Sequence, residues 1–395
     1  MGKVKMLVWG DAVTPTGFSR VLHSILGNLP LEDYDIAWLG VNYFGDPHEY
    51  RQYRIYPASN QNRGDLYGFS RIKDIISIEN PDVIFMLNDA WVLNKCLVAL
   101  KEVYKDKDLP KIVTYIPVDA SDHDPDWYKN FDIVTKIVAY TKFGKYVMHN
   151  AIPNRDIDII FHGVDNSIFY KIDDTKENIK KQLYPDREDY WKDSFIVLNA
   201  SRNQPRKRLD ITLQAFSMFA KDKPANVKLY MHCGVLDSHI HVTKLAARYG
   251  IDNRLLLTNT KNGVQSVPES ALNLIYNSTD VGLNTSIGEG WCLPCIEHAV
   301  TGAPQVVPGH SALLELYKDC GEIVPVSATH VIDNILTTGY VVDPQNVADK
   351  LEELYTDREM YKKLSKKSVK KFTSDIYSWK EIAKSWDILF KDIIK

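Results

Sequence analysis

The sequence predicts an α/β protein with two doubly wound parallel sheets. Three observations support this: the chain has 395 residues, β-rich and helix-like stretches alternate along it, and the alternation restarts after a polar segment. One hydrophobic core seldom grows beyond roughly 250–300 residues, so this length favours two domains. Alternating strands and helices favour parallel sheets with helices on both faces. We therefore expect two Rossmann-like domains that face a central cleft.

The first half begins with a buried-strand pattern at residues 4–9, followed by the turn-rich segment 10–19 and an amphipathic helix at 20–29. Further β-rich runs follow, separated by helix-like stretches. The expected strands are 34–39, 82–87, 111–116, 133–140 and 156–161, and the expected helices include 70–78 and 90–103. We expect this domain to comprise residues 1–168.

The polar, charge-dense stretch 171–192 has the composition of a connector with a surface helix, after which the pattern restarts. The second domain is expected at 169–371. Its expected strands are 194–199, 227–232, 255–259, 280–284, 303–307 and 322–326, with helices at 209–220 and 271–277. The C-terminal helix, within residues 372–395, has an apolar spacing that predicts packing back on the body, and we expect it to return to the first domain.

Composition and charge narrow the classes of protein. A net charge of −3 gives no overall attraction to nucleic acid or anionic lipid. Five scattered cysteines favour a reducing cytoplasm over a disulfide framework. No apolar run reaches the roughly 18–20 residues of a membrane span, and no signal-peptide pattern is seen, so we expect at most peripheral membrane contact. The lysine-rich segment 361–372 is expected to be a solvated helix, with contact to anionic lipid or DNA as the alternative.

A glycine-containing loop connects an expected strand to an expected helix that begins near Pro294. The free amides before a helix favour a bound anion. Glu289 lies in this loop, where it can accept hydrogen bonds from hydroxyl groups, and Glu297 lies about one turn into the helix. Glutamates at this spacing are common on solvated surfaces, but the strand–loop–proline–helix context favours a site. The loop amides expected to face the ligand are those of Gly290, Trp291, Cys292 and Leu293.

A basic segment, residues 199–210, follows the first expected strand of the second half and opens a helix. Arg202 and Lys207 can project from this loop toward a diphosphate, one as a planar fork and the other as a compact charge. Cations at a helix N-terminus oppose its dipole, which favours a bound anion there. The alternatives are a solvated helix start, or a nucleic-acid contact made by Arg206, Lys207 and Arg208.

At these two segments the chain resembles glycosyltransferase family 4, a large group of retaining enzymes with the GT-B fold. That family has an Arg-x4-Lys element after the first strand of its second domain, which Arg202 and Lys207 match. It also has a Glu-x7-Glu element, which Glu289 and Glu297 match. The similarity is strongest over residues 194–307. The resemblance implies the GT-B fold, with two Rossmann-like domains and C-terminal helices that pack back on the body.

The resemblance also implies that a glycine-rich loop of the first domain lies against the donor diphosphate. Residues 15–18 occupy that position, and Gly17 is the residue carried over. We expect a chain reversal at Gly17 that lets a backbone N–H approach the donor. Many members of the family have a histidine after the strand that corresponds to 111–116. Here Asp119 takes that position, with His123 as the alternative.

The activity that the resemblance implies is transfer of a hexose, with retention of configuration, from a nucleoside-diphosphate sugar to an acceptor hydroxyl. Arg202 and Lys207 would stabilise the diphosphate, Glu289 would position the sugar and Glu297 would hold the ribose. A β-phosphate oxygen would remove the acceptor proton, so no dedicated base is required. We expect the donor on the second domain and the acceptor on the first, with GDP-mannose and UDP-glucose as the leading donors.

We expect neither a required metal nor another cofactor. The segment Asp122-His-Asp124 resembles a metal-binding element, but an acid-rich polar loop is the preferred interpretation, because the donor site already supplies anion binding without a metal. Cys292 and Cys295 have the spacing of half a zinc site, yet a second pair is absent from the sequence. We expect these two cysteines to pack inward.

The identity of the acceptor is not encoded in any pattern that we recognise. A glycan, a protein-linked glycan and a modified DNA base stay open. The compact first domain and segment 201–210 resemble virus-encoded members of the family, which would place the protein in the host cytoplasm. Two alternatives to a transferase are a nucleotide-sugar epimerase or hydrolase on the same fold, and a non-catalytic module that binds nucleotides or nucleic acid.

Overall fold

The computed structural model describes residues 2–59, 64–105, 108–188, 192–263 and 266–395. The chain forms two compact units. Unit 1 comprises Met1–Gly163 and Ile376–Lys395, and unit 2 comprises Val164–Asp375. The sequence placed the divisions after residues 168 and 371, a few residues from those observed.

Unit 1 contains, within its described residues, a seven-stranded parallel sheet in the order β3-β2-β1-β4-β5-β6-β7. The strand order reverses between β1 and β4, and doubly wound sheets bind ligands outside the carboxyl ends of strands at such a point. The inner strands are apolar on both faces because helices cover the sheet. The strands are β1 Val4–Asp11, β2 Tyr34–Val41, β3 Arg54–Pro57, β4 Val83–Leu87, β5 Lys111–Ile116, β6 Lys136–Ala139 and β7 Ile157–Ile159.

Helices connect these strands. They are α1 Gly17–Leu26, α2 Ile72–Glu79, α3 Ala90–Val103 and α4 Lys142–Ala151. Threonine side chains start two of them: the hydroxyl of Thr16 accepts the N–H of Ser19 in α1, and the hydroxyl of Thr141 accepts the N–H of Gly144 in α4. Such caps satisfy amides that have no partner inside the helix.

Unit 2 repeats the arrangement with a six-stranded parallel sheet in its described part, in the order β10-β9-β8-β11-β12-β13. The order reverses between β8 and β11. The strands are β8 Phe195–Asn199, β9 Val227–Met231, β10 Leu255–Leu257, β11 Val281–Leu283, β12 Gln305–Pro308 and β13 Glu322–Val324. The predicted α/β fold with two Rossmann-like parallel-sheet domains is confirmed.

An antiparallel hairpin follows β13, and the sequence did not predict it. Its strands are β14 Val326–Val331 and β15 Thr338–Val342. All of β14 is exposed, so it lacks the apolar alternation that indicates a strand. At the base of the hairpin the N–H of Tyr340 donates to the carbonyl of Ile287, 2.8 Å away.

The helices of unit 2 surround its sheet. They are α5 Lys176–Leu183, α6 Leu209–Phe219, α7 Val242–Arg248, α8 Glu269–Ser278, α9 Leu293–Val300, α10 Ser311–Tyr317, α11 Pro344–Thr356 and α12 Arg358–Phe372. The polar connector helix α5 is fixed by a buried carboxylate, because Asp280 pairs with Lys176 at 3.1 Å and with Lys180 at 3.3 Å. Among the described residues, no helix is long and apolar enough to cross a membrane.

The C-terminal helix α13, Trp379–Ile393, belongs to unit 1. Its buried residues recur on one face, as expected for an amphipathic helix. The ring of Trp386 is fully buried, with its centroid 4.8 Å from those of Phe85 and Tyr115. The hydroxyl of Tyr34 donates to Asp387 at 2.8 Å, which adds a polar contact to this apolar packing.

Replacing Tyr34 by phenylalanine should lower the free energy of unfolding by about 1–2 kcal/mol, because a hydrogen bond to a charged group is lost. The buried ring would keep its packing. Urea unfolding followed by circular dichroism measures the change. Tyr146→Phe is the matched control, because Tyr146 is 65% exposed, and it should leave the midpoint unchanged. Equal effects of the two substitutions would contradict a contribution from the Tyr34–Asp387 bond.

Candidate functional site

The basic segment after β8 and the glycine-containing loop after β11 lie side by side in unit 2. The N–H of Ile287 donates to the carbonyl of Arg206 at 2.9 Å, and the hydroxyl of Thr285 donates to the carbonyl of Arg208 at 2.9 Å. Both segments follow neighbouring strands at the point where the strand order reverses. The two constellations that the sequence identified separately therefore form one site.

Buried asparagines shape both segments. At the end of β8, Asn199 accepts the N–H of Ser201 and donates to the hydroxyl of Thr212. After β11, Asn284 accepts the N–H of Ser286 at 2.8 Å and donates to Glu289 at 3.1 Å. Side chains that satisfy nearby backbone groups in this way favour turns over continued strand. Both segments therefore turn away from the sheet where the adjacent strands β8 and β11 end.

Glu289 is the centre of the site and is only 3% exposed. Its Oε1 accepts hydrogen bonds from Nζ of Lys207 at 2.6 Å and from Asn284 at 3.1 Å. Its Oε2 lies 3.3 Å from the guanidinium of Arg206, which also donates to the carbonyl of Gly288. Two cations thus share one carboxylate, which leaves the cluster with an excess positive charge that suits an anionic ligand.

Charge pairing determines the ionisation of Glu289. Burial raises the pKa of this carboxyl, but the charges of Lys207 and Arg206, with hydrogen bonds from Lys207 and Asn284, outweigh burial. Together they lower the pKa from 4.5 to about 2. Glu289 is therefore ionised throughout the neutral range.

The lowered pKa predicts a specific acid sensitivity. A folded-state pKa below the ordinary value stabilises the protein above pH 4.5, and that contribution is lost as pH falls toward about 2. The shift corresponds to about 3 kcal/mol. Urea unfolding at decreasing pH should show the stability advantage of the unmodified protein over Glu289→Gln shrinking across this window. A difference that stays constant with pH would contradict the assignment.

Helix α9 begins at Leu293, next to Pro294, as the sequence indicates, and the side chain of its N-cap residue Cys292 makes no cap hydrogen bond. The first amides of a helix have no partner inside the helix, and such amides can bind an anion. Cys292 precedes the helix in a left-handed conformation with φ 72°. Ser311, whose hydroxyl accepts the N–H of Glu289 at 3.2 Å, is also left-handed with φ 47°. Strained backbone of this kind concentrates at functional sites.

The structure buries Glu297 within unit 2. This residue of α9 is 3% exposed, and its Oε2 accepts a hydrogen bond from the hydroxyl of Tyr276 in α8 at 2.9 Å. In this state one of its oxygens is engaged inside unit 2. Its role with a ribose stays a prediction.

Arg202 belongs to a different set of contacts from Lys207. Its guanidinium pairs with Asp237 at 2.7 Å, and its side chain is 46% exposed. Buried Asn203 holds the same loop by donating to the carbonyls of Gly234 and Ile240. The two cations of the sequence motif therefore have different partners. Lys207 pairs with Glu289, whereas Arg202 pairs with Asp237, which lies on the loop that follows β9.

In unit 1 the expected chain reversal at Gly17 is wrong. The chain bends at residues 12–14 and at Thr16, and Gly17 is already the first residue of α1. The reason is the cap made by Thr16, which lets the helix begin at once. Gly17 does not have a positive φ. A Cβ added at Gly17 would meet nothing within 4 Å, so the backbone there is accessible.

The loop after β5 contains both candidates for the position that the family gives to histidine. Asp119 is partly buried. His123 accepts or donates at Nδ1 to the hydroxyl of Tyr128 at 2.7 Å. Burial lowers the pKa of His123 to about 4, although Asp119 and Asp122 oppose the shift, so this imidazole is neutral near pH 7.

Sequence reasoning missed two contributors to the site, Arg206 and Asn284. From the sequence, Arg206 is named only in the alternative of a nucleic-acid contact made by the basic segment. A short 3-10 turn at Pro205–Lys207 brings adjacent cations to one carboxylate. The proline that opens this turn is the signal that could have revealed the geometry. For Asn284, the signal is a polar residue directly after an apolar strand.

Within the described ranges, no group of three or more histidine, cysteine or acidic side chains is arranged to hold a metal ion. Asp122 and Asp124 lie within these ranges. Cys292 and Cys295 are both buried, with their sulfurs 3.0 Å apart. The expectation that no metal is required stays a prediction.

One family model matches the part of the chain that contains the candidate site. Residues 181–371 match the family described as "Glycosyl transferases group 1". This segment contains both motifs of the candidate site. No curated protein matches the sequence.

Solved structures resemble the whole chain. Sucrose-phosphate synthase from Thermosynechococcus elongatus has a TM-score of 0.75 at 13% identity and covers 100% of this chain and 99% of its own. A glycosyltransferase from Rickettsia africae has a TM-score of 0.74 at 16% identity and covers 100% of this chain and 99% of its own. HepE from Anabaena, in complex with UDP and glucose, has a TM-score of 0.72 at 15% identity and covers 98% of this chain and 100% of its own.

At these identities the likeness shows the fold, which is GT-B. The family match adds that residues 181–371, within unit 2, resemble group 1 glycosyl transferases. Membership of family 4 and a viral source stay predictions.

Proposed function

We propose that this protein is a retaining glycosyltransferase of family 4. It would move a hexose from a nucleoside-diphosphate sugar to an acceptor hydroxyl without a metal or other cofactor. The observation that carries the proposal is the cluster in which Lys207 and Arg206 share Glu289 beside the uncapped start of α9. An excess cation and free helix amides are what a departing diphosphate requires.

Each residue of the cluster has a proposed role. Lys207 exchanges its bond to Glu289 for one to the diphosphate, and Glu289 then accepts hydroxyls of the sugar. Arg202, whose side chain is 46% exposed, turns from Asp237 to the diphosphate. Glu297 is assigned to the ribose. The roles of Gly17 and Asp119 rest on the family resemblance alone.

The proposed donors are UDP-glucose and GDP-mannose. UDP-glucose is favoured because HepE, which shares the fold, is solved with UDP and glucose. The proposed acceptor is a glycan, with a modified DNA base as the alternative, and unit 1 is assigned to it. We place the protein in the cytoplasm, that of the host if the chain is virus-encoded.

A thermal-shift screen with UDP, GDP and their sugars tests the proposal first. We expect one nucleotide family to raise the melting temperature. Incubation of that donor with a panel of glycans should then yield product whose anomeric configuration, read by NMR, matches the donor. Conversion of the donor sugar without acceptor would indicate an epimerase, and release of the diphosphate alone a hydrolase. Stabilisation by DNA but by no nucleotide would overturn the proposal in favour of a nucleic-acid-binding module.

A further inference from the structure

Two thiols meet directly beneath the loop that contains Glu289. The sulfur of Cys292 lies 3.0 Å from that of Cys295 across the first turn of α9. Both side chains are buried, with 8% and 6% exposed. Of the five cysteines, the others are Cys96, Cys233 and Cys320, and they lie on separate elements of the two units. The 292–295 pair is therefore placed to react within itself.

The same pair is connected to the candidate donor site. The amide of Asn284 donates both to the sulfur of Cys292 at 3.4 Å and to Oε1 of Glu289 at 3.1 Å. Cys292 also holds the left-handed backbone that turns the chain into α9. Any change in the position of its sulfur therefore acts on a hydrogen bond of Glu289 and on the amides at the start of the helix.

We propose that Cys292 and Cys295 form a reversible disulfide, and that its formation weakens binding of the nucleoside diphosphate. The sulfurs would approach from 3.0 Å to about 2.05 Å in the bond. Because Asn284 donates to both the Cys292 sulfur and Glu289, we expect this movement to alter the Asn284 contact and the backbone at the start of α9. The effect on binding rests on the proposed function, whereas formation of the disulfide does not.

The reaction is thiol–disulfide exchange with a small disulfide such as oxidised glutathione. The thiolate of Cys292 attacks one glutathione sulfur, which forms a mixed disulfide and releases one glutathione thiolate. Cys295 then attacks the Cys292 sulfur and releases the second. Two protein thiols are oxidised, one glutathione disulfide is reduced to two thiols, and the two protein protons pass to the released thiolates.

Cys292 is the first nucleophile in this sequence. It is the more exposed residue of the pair, at 8% against 6% for Cys295. Cys295 suits the second step, because its hydrogen bond with Cys292 and burial raise its pKa and keep it protonated until the mixed disulfide forms next to it. Burial of both sulfurs restricts the exchange to small disulfides.

Incubation of the whole protein with graded ratios of oxidised to reduced glutathione, followed by alkylation and mass spectrometry, tests the disulfide. Of five cysteines, two should lose alkylation together, and a peptide that links 292 to 295 should appear and vanish on reduction. Cys320→Ser, which leaves the pair intact, should respond like the unmodified protein. Cys295→Ser should not form the linked peptide. Full alkylation under every ratio would overturn the proposal.

Titration of UDP and GDP into the oxidised and reduced protein tests the coupling. The affinity for the bound nucleotide should fall about tenfold on oxidation, which is about 1.4 kcal/mol, and recover on reduction. Reduced Cys295→Ser should bind like the reduced unmodified protein, which shows that loss of the second thiol does not by itself weaken binding. Equal affinities of the two forms would overturn the coupling. A disulfide in a protein that binds neither nucleotide would instead contradict the proposed function.

Discussion

Replacing Glu289 by glutamine should lower kcat/KM for sugar transfer about 1,000-fold, as expected for a positioned polar group in a buried site. The amide is nearly the same size, so the loop keeps its shape, but it no longer offers a charged acceptor to the sugar hydroxyls. Affinity for the nucleoside diphosphate should be undiminished, because the substitution removes a negative charge beside an anion site. Initial rates and calorimetric titration measure the two effects.

Glu359→Gln is the matched control for this experiment. It makes the same chemical change on the surface of α12, where the side chain of Glu359 is 84% exposed, and should leave transfer unchanged. Circular dichroism would show that both variants fold. Normal turnover of Glu289→Gln would refute the role assigned to this residue.

Replacing Lys207 by methionine should also lower kcat/KM about 1,000-fold, but by another route. The substitution keeps the length of the side chain and removes the charge that faces the diphosphate. A hydrogen bond to a charged group contributes about 1.5–3 kcal/mol, so the affinity for the nucleoside diphosphate should fall about 30-fold. This loss of nucleotide binding distinguishes Lys207 from Glu289.

The control is Lys221→Met, which removes the same charge from an exposed position in unit 2. It should leave nucleotide affinity and rates as they are. If Lys207→Met bound the nucleotide as tightly as this control, the cation would act on something other than the diphosphate, and the proposed donor site would be wrong.

The juxtaposition of Lys207 and Glu289 could be predicted from the sequence. Both residues follow apolar strands, and the carboxyl ends of neighbouring parallel strands lie at one edge of a sheet. The pairing of Arg202 with Asp237 could not, because Asp237 follows β9 and the spacing of the motif contains no information on side-chain direction. Arg206 was missed for the same reason.

The start of α1 shows a second limit. Apolar periodicity placed the helix at Arg20, whereas it begins at Gly17 because the hydroxyl of Thr16 accepts the amide of Ser19. A helix cap is made by a single side chain, so it leaves no periodic pattern in the sequence. The hairpin that includes Val326–Val331 was missed because its first strand is exposed along its whole length and shows no apolar alternation.

The sharing of one carboxylate by two cations bears on how quickly the enzyme could complete successive cycles. Without Glu289, departure of a spent diphosphate would leave Lys207 and Arg206 facing each other with no anion between them, and the leaving group would be retained. When the diphosphate leaves, Lys207 can again donate to Glu289, so the carboxylate replaces the phosphate as the partner of this cation. We therefore expect weaker product inhibition by the free nucleotide in the unmodified protein than in Glu289→Gln.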